Sequence, residues 1–366
     1  MQIDIIGGAR PNFVKIASVV HGLEQKKANG SEVSFRIIHT GQHYDAMLSS
    51  NFFDDLNIPE PDLNMRVGSG TQAEQTGAIM CGYESAIKLG KPDLCLVVGD
   101  VTSTMACAIA ARKSGVAVAH VEAGIRSGDW AMPEEINRVV TDSITNWFYT
   151  TTVQASTNLV NAGVEKHRVT MVGNTMIDTL LRFKDKLQKP ALMEQYYISE
   201  QDYFVATLHR PSNVDNVNTL FDTLKCLSEA AGDHSIVFPV HPRTAGVLKD
   251  RVINLDNILL VDPLPYLQFN YLVSRAKGVV TDSGGITEET TVLGIPTITL
   301  RDSTERPETV ELGTNILAGT DPKAIAPLMA RIIAGEWKKG SIPDKWDDQA
   351  GARIADHLLS IDNLHQ

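Results

Sequence analysis

The sequence predicts an α/β protein built from two doubly wound parallel-sheet domains. Three observations carry this. Short apolar runs alternate with amphipathic stretches along most of the chain. The apolar runs do not alternate with polar residues, as strands covered on both faces require. The pattern also stops and restarts near residue 200, so the architecture occurs twice. A length of 366 residues suits two domains better than one.

Residues 3–8, IDIIGG, read as a strand ending in glycines, and PNFVKIASVVHGLEQ after it as a helix. FRIIHTG (35–41) is a second strand, and 71–90 a helix with a glycine near its end. DLCLVVGD (93–100) is a third strand, STMACAIAARKSG (103–115) a small-residue helix, and VAVAHVE (116–122) a fourth strand. The charged stretch 182–201 fits a linker region. Then DYFVATLHR (202–210), HSIVFPVHPR (234–243), NILLVDPL (257–264), GVVTDSGG (278–285) and PTITLRD (296–302) read as further strands separated by helical segments. Two such domains facing one another would set both sets of strand carboxyl ends around one cleft, where open α/β sheets bind ligands.

The composition is ordinary for a globular chain, 43% apolar and 21% charged, with a net charge of −11. An acidic surface argues against nucleic acid or an anionic membrane as the main partner, though not against a local basic pocket. Cys81, Cys95, Cys107 and Cys226 form no CxxC pair and read as small hydrophobes in a reducing compartment. No signal peptide is visible, since the first apolar run is short and contains Asp4. No window approaches 18 apolar residues, so no membrane span is expected. The expected location is cytoplasmic.

GGARPNFVK (7–15) joins strand to helix, with Pro11 suited to the first helical turn. It is either an ordinary glycine turn or an anion site, with free N–H groups, the helix dipole, Arg10 and Lys15 at hand. It is neither GxGxxG nor a Walker A motif. VVGDVTSTMA (97–106) sets Asp100 at a strand end, and the hydroxyls at 102–104 read as helix caps. HVEAGIRSGDWAMPEEINR (120–138) packs Glu122, Asp129, Glu134 and Glu135 with two arginines just past a strand. Pro133 marks a helix start, where acids suit the dipole. Glu134 and Arg138 are spaced to pair on one helical face. Glu122 lies between Val121 and Ala123 at a buried strand end, where an unpaired carboxylate is costly.

ATLHRPSNVDN (206–216) sets His209 and Arg210 at a strand end, where they are spaced as a phosphate contact or as structure. FPVHPRT (238–244) repeats the theme with His241 and Arg243, read as packing or pocket shaping. His120, His209 and His241 lack metal-ligand spacing, so no metal is expected. TDSGGITEET (281–290) is the strongest single motif. Ser283, Gly284 and Gly285 can present backbone N–H groups to a diphosphate at a helix start. Glu288 or Glu289 can reach ribose hydroxyls. RDSTERPE (301–308) adds Arg301, Glu305 and Arg306 after the next strand.

GARPNFVK, TGQHYDAM, GDVTST, HVEAGIRS, MPEEINR, GNTMID, LHRPSN, TDSGGITEE and RDSTERPE occur in that order over nearly the whole chain. Together they resemble the non-hydrolysing UDP-N-acetylglucosamine 2-epimerases. The resemblance implies a GT-B type fold, two Rossmann-like doubly wound parallel-sheet domains with the nucleotide in the cleft between them. It implies a first domain over 1–180, completed by a C-terminal helix within 347–366, and a UDP-binding second domain over 181–346. It also implies a UDP-sugar substrate, a homodimer and no cofactor.

The implied reaction is reversible epimerisation at C2 by anti elimination of UDP through 2-acetamidoglucal, followed by re-addition. That route needs donors for the departing diphosphate and carboxylates on both faces of the ring. Carried over by motif, Asp100, Glu122 and Glu134 are the catalytic acids, and His209 with Lys15 supports departure of the diphosphate. Arg10, Arg138, Phe269, Ser283, Gly284, Gly285, Glu289 and Arg306 are the implied substrate contacts, with Phe269 beside the uracil. Glu135 and Asp129 are then solvated neighbours.

Activated bacterial members hold a second UDP-sugar, and Gln42 and His43 match that site. The loop HRPSN departs from the activated pattern at Pro211 and Ser212, and GSGTQ (68–72) lacks an arginine. These forms are closer to an archaeal-like branch and to relatives acting on modified sugars such as UDP-2,3-diacetamido-2,3-dideoxyglucuronic acid. A UDP-dependent glycosyltransferase, a hydrolysing epimerase and a UDP-sugar sensor are the rival readings. Three strand-end acids favour proton chemistry at carbon over a transferase, the hydrolysing family resembles the chain more weakly in motif detail, and the presence of every candidate acid argues against a sensor.

Overall fold

The computed structural model describes residues 1–41, 50–240, 242–248 and 255–365. The chain divides into two units, Met1–Arg182 with Asp344–Gln366, and Phe183–Pro343. The first holds β1 (Gln2–Gly7), β2 (Ser34–His39), β3 (Leu63–Asn64), β4 (Leu94–Val98), β5 (Ala117–Val121), β6 (Trp147–Thr150) and β7 (Val169–Met171). The second holds β8 (Tyr203–Thr207), β9 (Ser235–Pro239), β10 (Ile258–Val261), β11 (Gly278–Thr281), β12 (Thr297–Thr299) and β13 (Asn315–Leu317).

Both sheets are parallel. Their orders are β3-β2-β1-β4-β5-β6-β7 and β10-β9-β8-β11-β12-β13. Each is the Rossmann order, so each unit is a doubly wound fold as predicted. The chain reverses direction across each sheet between its first and fourth strands, β1 and β4 or β8 and β11. The loops after those strands flank the switch point where such sheets take their ligands. Strands β3, β6, β7 and β13 extend the sheets beyond the runs read from sequence.

β4 and β5 are buried at every position, which is why their sequences show no polar alternation. β1 carries one exception. Asp4 is fully buried, and its register partner on β2 is Arg36. Arg36 donates to it from Nε at 2.8 Å and Nη2 at 2.9 Å, and the Tyr83 hydroxyl donates at 3.2 Å. Those three bonds offset the cost of an acid inside a strand, although burial still raises its pKa.

The helix Ala350–Leu359 packs in the first unit against the helix Arg10–Ala28. Contact is close because the crossing is made of backbone. A Cβ on Gly351 would sit 2.1 Å from the Ser18 carbonyl oxygen, and one on Gly22 2.5 Å from that of Gly351. Asp178 Oδ2 joins the two helices by accepting from Ser18 Oγ at 2.6 Å and Gly351 N at 2.8 Å. Among the described residues no helix is long and apolar enough to cross a membrane.

Gly351→Ala should therefore lower the thermal midpoint, by about 1–3 kcal/mol of overpacking. Gly77→Ala, in the interior of the helix Gln72–Leu89 with open space around its Cβ position, should raise stability by about 0.5–1 kcal/mol. Differential scanning fluorimetry on both variants checks the contrast. An unchanged midpoint for Gly351→Ala would refute the close crossing.

Candidate active site

In the first unit the candidates gather at the carboxyl ends of β1, β4 and β5. Lys15 stands one turn into the helix that follows β1, and its Nζ donates to Glu122 Oε2 at 2.6 Å. Glu122 follows β5 directly and is 3% exposed. Its backbone is left-handed, with φ at +67°. That conformation costs a non-glycine residue about 1–3 kcal/mol and concentrates at functional sites. Gly99, at the end of β4, has φ at +69°, and a Cβ there would lie 3.3 Å from Lys15 Nζ and 3.7 Å from Glu122 Oε2. A side chain at 99 would press on the ion pair.

Asp100 follows Gly99. Arg138, on the helix Pro133–Ile144, donates to Asp100 Oδ2 from Nε at 3.1 Å and Nη2 at 2.5 Å. Asn137 donates to the Asp100 carbonyl oxygen at 2.8 Å. Glu134, on the same helix, is half-buried and makes no ion pair among the described residues. The three acids thus come from three separate elements of one sheet edge. Arg10 opens the helix Arg10–Ala28, with its guanidinium 5.2 Å from the centre of the Phe52 ring.

Several expectations are corrected here. Glu135 is not solvated. It is 2% exposed, and it accepts from Ser127 N at 2.8 Å, Ser127 Oγ at 3.0 Å and Gly128 N at 3.1 Å. Arg138 pairs with Glu135 at 2.9 Å rather than with Glu134. Burial raises the Glu135 pKa, but the Ser127 and Gly128 amides and Arg138 outweigh it and hold it low. Asp129 is exposed, as expected. The Gly8 and Ala9 N–H groups are not free for an anion, because both donate to Asn12 Oδ1, at 3.2 and 3.0 Å. The hydroxyls at 102–104 do not cap their helix, whose N-cap is Val101. Thr104 donates to the Val98 carbonyl oxygen at 2.7 Å and Ser103 meets Thr40 at 2.7 Å.

In the second unit the centre of the candidate group is Asp282, fully buried between β11 and Ser283. His209 Nδ1 lies 2.8 Å from Asp282 Oδ1. Asp282 Oδ2 accepts from His209 N at 3.0 Å, Arg210 N at 2.9 Å and Asn213 Nδ2 at 3.0 Å. One carboxylate therefore fixes the turn after β8 against the turn after β11. Burial pushes its pKa up, but the His209 and Asn213 side chains and the Arg210 amide bring it below the usual carboxylate value. His209 keeps 40% of its side chain exposed. Ser283 precedes the helix Gly284–Leu293, which Gly284 and Gly285 begin.

Arg306 Nε donates to Glu288 Oε1 at 2.7 Å. Arg301 Nη2 donates to Glu305 Oε2 at 2.6 Å, and Arg210 Nη2 lies 3.7 Å from Glu305 Oε1. Burial disfavours the Glu305 carboxylate, but Arg301, Arg306 and Arg210 lower its pKa to about 2. Glu289 has no cation beside it among the described residues. Tyr266 OH donates to its Oε1 at 3.2 Å and Asn270 Nδ2 at 3.5 Å. Burial, partly offset by those two bonds, raises its pKa to about 7. Phe269 lies half-buried on the helix Tyr266–Ser274, between these two partners of Glu289. Gln42, His43, His241 and the Arg243 side chain lie outside the described residues.

A family model described as UDP-N-acetylglucosamine 2-epimerase matches residues 25–359. The chain belongs to that family. It is 40% identical over 335 residues to the UDP-N-acetylglucosamine 2-epimerase of Methanocaldococcus jannaschii, covering 89% of this chain and 90% of the relative. It is 38% identical over 364 residues to the UDP-2,3-diacetamido-2,3-dideoxy-D-glucuronate 2-epimerase of Pseudomonas aeruginosa, covering 99% and 100%. The crystal structure of the M. jannaschii epimerase in complex with UDP-GlcNAc and UDP matches with a TM-score of 0.88 at 38% identity, over 98% of this chain and 99% of that one. The chain is thus an enzyme of the UDP-N-acetylglucosamine 2-epimerase family, with the two Rossmann-like units of the GT-B class.

Sequence reading did not single out Asn12, Asp142 or Asp282, and it weighed His120 only as a metal ligand. Asp282 had a signal, an acid between a buried strand and a Ser-Gly-Gly turn. Asn12 had little, since its role depends on β4, 86 residues away.

Glu289 generates a testable pH dependence. Its folded value of about 7 lies above the 4.5 of an unperturbed glutamate. Between those values folding takes up a proton, so stability falls as pH rises through that window and stays lower above it. Glu289→Gln removes this loss and should raise stability at pH 8 on the order of 1–3 kcal/mol. At pH 4.5 the gain should vanish. Thermal midpoints at the two pH values test it, and no gain at pH 8 would contradict a buried acid whose ionisation costs stability.

Proposed function

We propose that this enzyme interconverts UDP-N-acetylglucosamine and UDP-N-acetylmannosamine. A base removes the C2 proton as the C1–O bond breaks on the opposite face. The electron pair of that bond leaves with UDP, and a C1=C2 double bond forms in 2-acetamidoglucal. A second acid then delivers a proton to the other face of C2, and the UDP oxygen attacks C1. One observation supports this reading above others: Asp100, Glu122 and Glu134 come from three elements at one edge of one sheet, with a lysine on one of them. A transferase has no use for three acids around a sugar carbon, whereas a C2 epimerase needs proton transfer on two faces.

Each acid is prepared differently. Arg138 holds Asp100 with two N–H donors, and Lys15 holds Glu122 with one. Glu134 makes no ion pair among the described residues, and it is assigned to proton transfer with the other two. In the second unit His209, oriented by Asp282, and the start of the helix Gly284–Leu293 supply donors for the diphosphate. Glu289 and Phe269 are assigned to the nucleoside end.

The second reading is a C2 epimerase of UDP-2,3-diacetamido-2,3-dideoxyglucuronate, the substrate named for the P. aeruginosa relative. Such a sugar carries a C6 carboxylate and calls for a cation near the ring. Lys15 and Arg138, the cations beside the acids, are already engaged by Glu122, Asp100 and Glu135. That favours the uncharged C6 hydroxymethyl group of UDP-GlcNAc.

Proton NMR of the enzyme with each sugar in D2O decides between them. Deuterium at C2 of UDP-GlcNAc, together with appearance of UDP-ManNAc, is expected. Exchange only with the diacetamido-uronate would transfer the assignment to the second reading. Release of free ManNAc with UDP would replace both. Asp100→Asn, Glu122→Gln and Glu134→Gln should each lower kcat by about 10²–10⁴-fold. A variant retaining wild-type kcat would remove its residue from the proton-transfer set.

A further inference from the structure

The three elements that carry the acids are tied together by one buried pair. His120 lies on β5 and is fully buried. Its Nδ1 is 2.7 Å from Asp142 Oδ1 and its Nε2 is 2.8 Å from the Gly99 carbonyl oxygen. Asp142 Oδ2 in turn accepts from Gly124 N at 3.1 Å and lies 2.7 Å from Arg126 Nη2. Gly99 directly precedes Asp100 at the end of β4. His120 stands two residues before Glu122, and Gly124 two residues after it. Asp142 belongs to the helix Pro133–Ile144 that carries Glu134. The bridge therefore runs from Asp100's turn, through both sides of Glu122, to Glu134's helix.

Burial disfavours the Asp142 carboxylate, but His120 and Arg126 outweigh it and bring its pKa below the usual value. Asp142 and the Gly99 oxygen meet the two ring nitrogens of His120 from different elements, so the imidazole spans the gap between them.

We propose that His120 is a positioning residue for the epimerase reaction, holding Asp100, Glu122 and Glu134 in one arrangement through Gly99 and Asp142 while touching no substrate itself. This rests on those acids being the proton-transfer groups. Proton transfer tolerates little displacement, and a shift of about 1 Å at a reacting group costs on the order of 10²-fold in rate.

His120→Gln and His120→Asn test the bridge from its two ends. The glutamine amide keeps a donor toward the Gly99 oxygen and loses Asp142, and the asparagine amide keeps Asp142 and loses Gly99. Each variant should lose about 10²-fold in kcat, with C2 deuterium wash-in falling in step. KM should stay near the wild-type value, because the ground-state contacts of UDP are untouched. A raised KM with unchanged kcat, or kcat close to wild type in both folded variants, would overturn the role. If neither variant folds, a crystal structure of the wild-type protein still decides. His120 ring nitrogens within hydrogen-bond distance of both Asp142 and the Gly99 oxygen support the bridge, and a ring that reaches only one of them overturns it. Wild-type protein that exchanges no C2 proton would overturn the proposed function, while the crystal structure would still read the bridge separately.

Discussion

The ion pair between Lys15 and Glu122 sets the terms for everything around it in the first unit. Its partners are 107 positions apart in the chain and sit on elements flanking β4. To meet, they must cross over the end of β4, so that end must be a glycine. Glu122 must leave its strand in a left-handed turn. Burying two charges in this way brings little or no net stability, because their desolvation consumes most of the attraction. A hydrophobic pair of similar volume would hold the elements together as well. The pair is better understood as a device that fixes the place of a buried carboxylate at the end of the strand.

The second unit solves a different problem with the same strand order. Its acids mostly serve to hold other groups. Asp282 immobilises the His209 and Arg210 backbone, Glu288 engages Arg306, and Glu305 draws Arg301 and Arg210 together. Glu289 is the exception, buried with a hydroxyl and an amide as its donors and no cation among the described residues. One edge of the first unit concentrates acids, and the corresponding edge of the second combines cations, a histidine and a helix start.

The long buried strands were legible in the sequence because they are covered on both faces and so lack alternation. The strands that escaped notice are two to four residues long. β3, β7 and β13 are only partly buried and lie at or next to a sheet edge, where neither periodicity nor composition stands out. The site was legible at the level of residue type. Acids at strand ends and a Ser-Gly-Gly turn were visible because they interrupt apolar runs. Partnerships were not. Spacing alone joined Arg138 to Glu134, but the amides of the loop 127–128 draw Glu135 inward, and Arg138 follows it. Asn12 and His120 look like ordinary helix and strand residues until β4 is placed between them. Contacts across the sheet are long-range facts, and a local pattern carries no record of them.

The seam between the helices Arg10–Ala28 and Ala350–Leu359 bears on how the protein is made. Lys15 and Asn12 belong to a helix whose outer side stays uncovered until residues 350–359 arrive. During synthesis the whole of Phe183–Pro343 emerges before that cover does. The second unit can therefore finish folding on the ribosome while the first still exposes an apolar helix flank. Chains emerging in this order have their first unit as the last part to mature and the longest exposed to wrong association.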